Sequence, residues 1–311
     1  MPWTASDIRR QDGRTALITG ATGGLGLQTA IGLARAGARV LLGARDAGRG
    51  EVAAGRIAAA APGAEIELVS MDLADLASIA AAAEEVGRRS EPLDLLICNA
   101  GVMALPRRTT ADGFEMQLGT NHLGHFALVA QLLPALLEAP AQRVVTVSSG
   151  MHKIGKIDFD DLQGERRYSR WRAYGQSKLA NLLFAFELQR RAAAADLPLL
   201  SMAAHPGYAA TNLQAAGPKM SGNKASELVM SIGNRLFAQR DAEGALPILY
   251  AATQDLPGAS YAGPSGRGEM QGPPTLVSPS HAATDEAVAK RLWEVSEELT
   301  GVRFELGAPV A

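Results

Sequence analysis

A short apolar run at 15–19 passes directly into Gly20-Ala21-Thr22-Gly23-Gly24-Leu25-Gly26 and then into an Ala/Leu-rich stretch at 24–36. This feature constrains the fold most. Glycines admit positive φ and let a backbone approach a ligand without Cβ atoms in the way. A helix that begins there offers free N–H groups and the positive end of its dipole, which together suit a pyrophosphate. A turn of this kind requires a strand before it and a helix after it, as in the first unit of a dinucleotide-binding sheet. The spacing departs from G-x-G-x-x-G. It reads T-G-x-x-x-G-x-G through Gly20, Gly24 and Gly26, or T-G-x-x-G-x-x-G through Gly20, Gly23 and Gly26, and both readings stay open. Gly20, Thr22, Gly24, Leu25 and Gly26 are the expected phosphate-side contacts.

The same alternation continues down the chain. Apolar runs at 15–19, 39–43, 66–70, 93–98, 143–148 and 199–205 read as buried parallel strands. Helical spacing fills the intervals at 24–36, 48–61, 77–89, 113–138 and 174–195. The expected class is α/β, a doubly wound parallel sheet (Rossmann fold) of about seven strands flanked by helices. No linker divides the 311 residues, so 1–311 reads as a single domain. A core at 14–205 is followed by a Gly/Pro-rich break at 206–222 and helical stretches at 224–238 and 242–253. A short strand at 260–262, a loop at 263–274 and an amphipathic helix at 285–299 complete the chain. Val288, Leu292, Val295 and Leu299 would form the apolar stripe of that last helix.

Charge and cysteine content exclude several functions. A formal charge of -2 gives no overall basic footprint for nucleic acid. Arg166, Arg167, Arg170 and Arg172, interleaved with Tyr168 and Trp171, read as a solvated rim. The lone Cys98 rules out an internal disulfide and a cysteine zinc cluster; a small buried hydrophobe is its expected role. His122 and His125 have no carboxylate at matching spacing, and Asp158, Asp160 and Asp161 lack the calcium-loop pattern, so no metal is expected. No signal-like N-terminus and no run of ~18 uncharged apolar residues occurs, so a soluble, cytoplasmic protein is expected.

The second strand ends Gly43-Ala44-Arg45-Asp46. An NAD-type site usually places an acid there to hold the ribose 2′-hydroxyl, whereas a guanidinium matches a 2′-phosphate. Arg45 therefore favours NADP(H), with NAD(H) left open because Asp46 follows; Asp46 could equally cap the next helix. Asp72 and Leu73, after the third strand, would meet the adenine, or Asp72 would be another helix cap.

Tyr174 and Lys178 stand at i and i+4 and share a helix face. A free phenol is a poor base at neutral pH, and a neighbouring ammonium favours its ionised form, giving a usable acid/base for a carbonyl/alcohol pair. Alone, the pair is weak evidence. Taken in order with Asn99-Ala100-Gly101, Asn121, Ser149 and His205-Pro206-Gly207, it resembles the classical short-chain dehydrogenase/reductase family over roughly 14–213. The stretches Asn121-His122-Leu123-Gly124-His125-Phe126, Val147-Ser148-Ser149, Leu162-Gln163-Gly164-Glu165 and Ala173-Tyr174 with Ser177-Lys178-Leu179-Ala180-Asn181 are similar to the retinol-dehydrogenase-like branch.

The resemblance implies roles. Tyr174 moves the proton at the substrate oxygen, and Lys178 lowers the phenol pKa and holds the nicotinamide ribose. Ser149, rather than Ser148, hydrogen-bonds the substrate carbonyl. Asn121 interrupts its helix and holds a relay water. Asn99, Ala100, Gly101, Pro206, Gly207 and Thr211 line the cofactor. The implied function is an NADP(H)-dependent oxidoreductase interconverting an alcohol and an aldehyde or ketone. Leu213, Met220, Leu228, Met230 and Leu236, within a lid region at 208–253, suggest an apolar roof and a hydrophobic small-molecule substrate. Extra length in the inserted 150–172 segment and the 263–311 extension is where substrate choice would reside. An epimerase or dehydratase on the same scaffold, or a non-catalytic nucleotide-binding module, are the rival readings. A homo-oligomer is left open.

Overall fold

Ala16 and Ile18 bury themselves on one side of the first strand while Leu17 buries itself on the other. That period-two alternation, apolar on both faces, is the mark of a strand sandwiched between helical layers. The computed structural model describes residues 2–89, 91–208 and 240–306. Its sheet has eight strands in the order β3-β2-β1-β4-β5-β6-β7-β8. They are β1 Thr15–Thr19, β2 Arg39–Ala44, β3 Ile66–Ser70, β4 Leu95–Cys98, β5 Arg143–Val147, β6 Leu200–Ala204, β7 Tyr261–Pro264 and β8 Pro274–Leu276. The first seven are parallel; β8 returns antiparallel to β7. The chain order reverses between β1 and β4, the switch point at which such sheets bind ligands.

One layer holds α1 Gly24–Arg35, α2 Ala47–Ala60 and α6 Leu246–Thr253. The other holds α3 Leu76–Gly87, α4 Gly124–Leu137, α5 Arg170–Ala194 and α7 Glu286–Thr300. From Tyr174 to Leu188 every residue of α5 is buried, as expected of a helix in the middle of its layer.

Four expectations need correction. An eighth strand, Pro274–Leu276, begins at the last residue of the stretch read as a loop, which joins β7 to β8 as a hairpin. The helix expected over 113–138 begins only at Met116, while the π-helical turn at Gly119–Leu123 is the interruption expected at Asn121. The helix carrying Tyr174 starts at Arg170, so the last residues of the inserted segment are helical. In α7 the fully buried face is Ala289, Leu292, Trp293, Ser296 and Thr300, rotated from the aliphatic stripe. Trp293 takes the central place by packing against Phe126, Phe184 and Phe304. Small Ala289 and Ser296 keep the helix close to its neighbours. Among the described residues no helix is long and apolar enough to cross a membrane, and no metal-holding cluster of His, Cys, Asp or Glu occurs.

Candidate active site

A cavity of about 640 Å³ opens at the carboxyl ends of the parallel strands. Its wall begins at the glycine turn. Gly20 sits at φ 66° and a Cβ there would fall 2.9 Å from the Cα of Ala100, so only glycine fits without displacing backbone. The first turn of α1 has no side-chain cap, which leaves backbone N–H groups for a ligand. These features fit a bound dinucleotide diphosphate.

Arg45, Asp46, Arg49, Asp72 and Leu73 line a further part of the cavity. The Asp46 carboxylate accepts from Arg49 N at 2.8 Å, so it is the N-cap of α2. Asp72 is not a helix cap. That place belongs to Asp75, which accepts from Ala77 N and Ser78 N. Asp72 instead accepts from Ala74 N at 3.0 Å and lies 3.6 Å from the Arg45 guanidinium. Arg45 is well exposed and free to turn toward a ligand.

Asn99, Ala100 and Gly101 also line the cavity. Thr19 ties them down: its hydroxyl accepts from Asn99 N and Ala100 N, both at 2.9 Å. Sequence reasoning missed Thr19, although a hydroxyl ending an apolar strand just before Gly20 was the available signal.

Ser149, Tyr174 and Lys178 converge on the same space, joined by Pro206 and Gly207. Thr211 and the proposed roof residues Leu213, Met220, Leu228, Met230 and Leu236 lie outside the described residues. Ser148 and Ser149, just after β5, both line the cavity, but the Ser148 hydroxyl donates to Lys178 O at 2.8 Å, whereas Ser149 is half-buried beside Tyr174. His152 Nδ1 lies 2.7 Å from Ser149 O and fixes the turn that follows.

Asn121 is fully buried behind the lining, in the π-helical turn, so its helix is interrupted as expected. Its amide donates to Val102 O and Ser177 Oγ, both 2.9 Å, and its carbonyl oxygen accepts from Val102 N at 2.7 Å. Ser177 Oγ donates in turn to Tyr174 O at 2.8 Å. Ser177 was a second missed residue; it lies inside the motif that was read only for its ends.

Burial dominates the electrostatics of the pair. Burial raises Tyr174 to about 12, and only a hydrogen bond from Ser149 pulls against that. Burial lowers Lys178 to about 8. Lys178 Nζ donates to Val147 O at 3.1 Å and stands 5.8 Å from the Tyr174 ring centre. Burial is thus the larger influence on the phenol, and the Ser149 hydrogen bond the opposing one.

The remaining candidates have structural roles. The Asp161 carboxylate collects Glu165, Arg166 and Arg167 backbone N–H groups and folds the inserted segment. Tyr168 pins that segment, donating to Leu105 O at 2.9 Å. Trp171 lines the cavity with Met103, Met151 and Tyr208. Cys98 is completely buried, as expected, and burial pushes its thiol up.

Residues 14–221 match the short chain dehydrogenase family model. Mouse retinol dehydrogenase 14 is 39% identical over 303 residues, which span 93% of this chain and 86% of that protein. A crystal structure of an uncharacterized Mycobacterium paratuberculosis protein superposes with a TM-score of 0.80 at 45% identity, over 98% of this chain and 99% of that one. A Beutenbergia cavernae structure titled as an NAD(P)-dependent gluconate 5-dehydrogenase, with NADP bound at low occupancy, is 30% identical with a TM-score of 0.59. It covers 78% of this chain and 91% of its own.

Proposed function

This chain belongs to the short chain dehydrogenase family and is an NAD(P)-dependent alcohol/aldehyde oxidoreductase, and from that premise we propose that it reduces a hydrophobic aldehyde or ketone with NADPH. One observation carries the reading. A single cavity joins an arginine at the end of β2 to a buried phenol hydrogen-bonded by a serine.

Arg45 supports the choice of NADP(H), because its guanidinium can take a 2′-phosphate by charge and by paired hydrogen bonds. Arg49 lines the same part of the wall and adds to the positive field. The Beutenbergia structure with NADP is consistent with it. Met103, Met151 and Trp171 give the reacting end apolar walls, which suits a substrate with a long hydrocarbon part. Retinol, named in the mouse relative, is such a molecule.

When bound, the nicotinamide supplies the hydride. The side chains supply the rest. Ser149 Oγ donates to the carbonyl oxygen and polarises it. Tyr174 Oη gives its proton to that oxygen as negative charge develops there. A phenol is protonated at neutral pH, so Tyr174 holds the proton that the direction of reduction requires. Lys178 holds a positive charge near the phenolate left behind, and Asn121 keeps the floor of the site in place. Tyr174, Lys178 and Asn121 are buried, which limits their contact with bulk water.

The test is NADPH oxidation across straight-chain aldehydes, aromatic aldehydes, ketones and quinones, with NADH in parallel. Net oxidation of NADPH, fastest with the longer apolar aldehydes, is expected. Equal rates with NADH would overturn the nucleotide assignment. A preference for short polar carbonyls would overturn the substrate class. Product formation without net nucleotide consumption would favour an epimerase.

A further inference from the structure

His122 and His125 sit one helical turn apart, both fully buried, and the reaction as described uses neither. Their surroundings differ sharply. His122 Nε2 lies 2.9 Å from Ser296 Oγ on α7, on the side away from the cavity, among Phe126 and Phe184. His125 reaches the opposite way. Its Nδ1 lies 3.0 Å from Asn121 O and its Nε2 lies 2.9 Å from Thr19 Oγ1.

Every proton in that second arrangement can be assigned. A backbone carbonyl cannot donate, so His125 Nδ1 carries the hydrogen and donates to Asn121 O. Nε2 is then the acceptor. Thr19 Oγ1 already accepts from Asn99 N and Ala100 N, which uses both its lone pairs, and its one hydrogen points at His125 Nε2. Among the described residues the other acceptor near that hydroxyl, Ile97 O, is farther at 3.3 Å. A doubly protonated ring would aim a second N–H at an oxygen with no free lone pair. Burial, with the Lys178 charge nearby, accordingly holds His125 neutral, down to about 4, against the opposing pull of Asn121 O.

Two walls of the site are joined by this ring. Asn99 and Ala100, on the Thr19 side, line the cofactor cavity. Asn121, on the other side, holds Val102 by paired hydrogen bonds and reaches Tyr174 through Ser177. The next residue, Gly101, is packed so closely that a Cβ would stand 3.0 Å from Asn121 Oδ1 and 3.5 Å from Lys178 Nζ. A change in the Asn99–Asn121 spacing would thus be felt at the lysine.

We propose that His125 is a positioning residue of the reaction: a neutral strut from Thr19 to Asn121 that sets the distance between the cofactor-lining Asn99–Ala100 segment and the Asn121–Ser177–Tyr174 chain. The proposal rests on the reading of Asn121 and Tyr174 as parts of the catalytic machinery. His122 has no such part, and its neighbouring position makes it the control.

Four variants test this with NADPH and the fastest aldehyde of the panel: H125L, H125N, H122L and N121A. Each is assayed for kcat, for NADPH dissociation constant by fluorescence, and for Tm. H125L is expected to lose at least 30-fold in kcat with NADPH affinity weakened no more than about threefold. H125N, whose amide can still donate to Asn121 O, is expected to recover at least fivefold over H125L. H122L is expected to lower Tm while keeping kcat within about twofold. Unchanged kcat in H125L, an equal kcat loss in H122L, or no recovery in H125N overturns the strut. Unchanged kcat in N121A overturns the underlying reading of the site instead. Where H125L does not fold, T19V removes the hydroxyl without changing side-chain shape. It is expected to lose about tenfold in kcat, and wild-type kcat in T19V overturns the strut.

Discussion

Lys178 Nζ donates to the carbonyl of Val147 at 3.1 Å while standing 5.8 Å from the Tyr174 ring centre, so the lysine is anchored to β5 rather than to the tyrosine. Both groups are almost completely buried, and burial shifts both away from their charged forms. The consequences for stability have opposite windows. Lysine drops from 10.5 to about 8, so between those values the unfolded chain binds the proton that the folded chain releases. Stability therefore rises with pH across that window. Tyrosine rises from 10.0 to about 12, so the folded chain keeps a proton that the unfolded chain loses, and stability falls with pH across 10 to 12. We expect Lys178→Met to melt at a higher temperature than the wild type at pH 7. The gap should close by about pH 10.5. Melting curves at half-unit steps check this, and a gap constant from pH 7 to 10.5 contradicts the buried, depressed lysine.

Tyr174→Phe keeps the buried ring in the cavity wall and removes only the hydroxyl. We expect turnover to fall by at least about 10³-fold, within the range for a general acid acting with other groups. NADPH binding, followed by fluorescence, should stay within about threefold. The alkaline loss of stability between pH 10 and 12 should shrink in the same variant. Residual turnover within tenfold of the wild type would remove the phenol from the proton path.

Arg45 and Asp72 face each other at 3.6 Å across the part of the cavity next to β2 and β3. The ion pair is exposed and so contributes little to stability. Its interest lies in competition, since a 2′-phosphate would contend with the carboxylate for the guanidinium. Arg45→Ala should raise the KM for NADPH by about 10- to 100-fold and leave that for NADH nearly unchanged. Asp72→Asn keeps an oxygen for Ala74 N but loses the charge. It should lower the KM for NADPH about two- to fivefold. Steady-state kinetics with both nucleotides decide it, and a proportional loss for NADPH and NADH in Arg45→Ala would remove the phosphate role.

Legibility in the sequence followed the physics. The glycine turn and the parallel strands could be read because each rests on local spacing or on a long apolar period, and the Ser149, Tyr174 and Lys178 set because a series of motifs in order resembles a known family. What could not be read is what depends on tertiary contact. The rotation of α7 is set by Trp293 meeting Phe126, Phe184 and Phe304 from distant segments. The true cap of α3 is Asp75 rather than Asp72, a choice decided by which carboxylate faces Ala77 N and Ser78 N. The hairpin partner β8 is three residues long, below the length at which a period can be seen. The bond between Thr19 and His125 could not be read either, because it joins residues 106 apart in the chain.

Gly124 shows how one missing Cβ builds the site. It opens α4 directly after the π-helical turn, and a Cβ there would stand 2.4 Å from Leu73 O. The obstacle is backbone, which cannot swing aside as a long side chain would. Leu73 follows β3 and lines the cavity, so the contact sets how near the adenine-side loop lies to the turn that carries Asn121. Gly124 has ordinary helical backbone angles, so alanine would gain helix propensity of about 1 kcal/mol in the absence of the clash. Overpacking against fixed backbone costs about 1–3 kcal/mol or more, which outweighs that gain. Gly124→Ala should therefore be destabilised by about 1–2 kcal/mol in urea unfolding. It should also bind both nucleotides more weakly, by about three- to tenfold, since the Leu73 segment must move. Gly55, in α2 with nothing within 4 Å of its would-be Cβ, is the matched control, and Gly55→Ala should be stabilised by up to about 1 kcal/mol. A Gly124→Ala variant as stable as Gly55→Ala would mean that the Leu73 carbonyl yields freely and does not fix the spacing of the two segments.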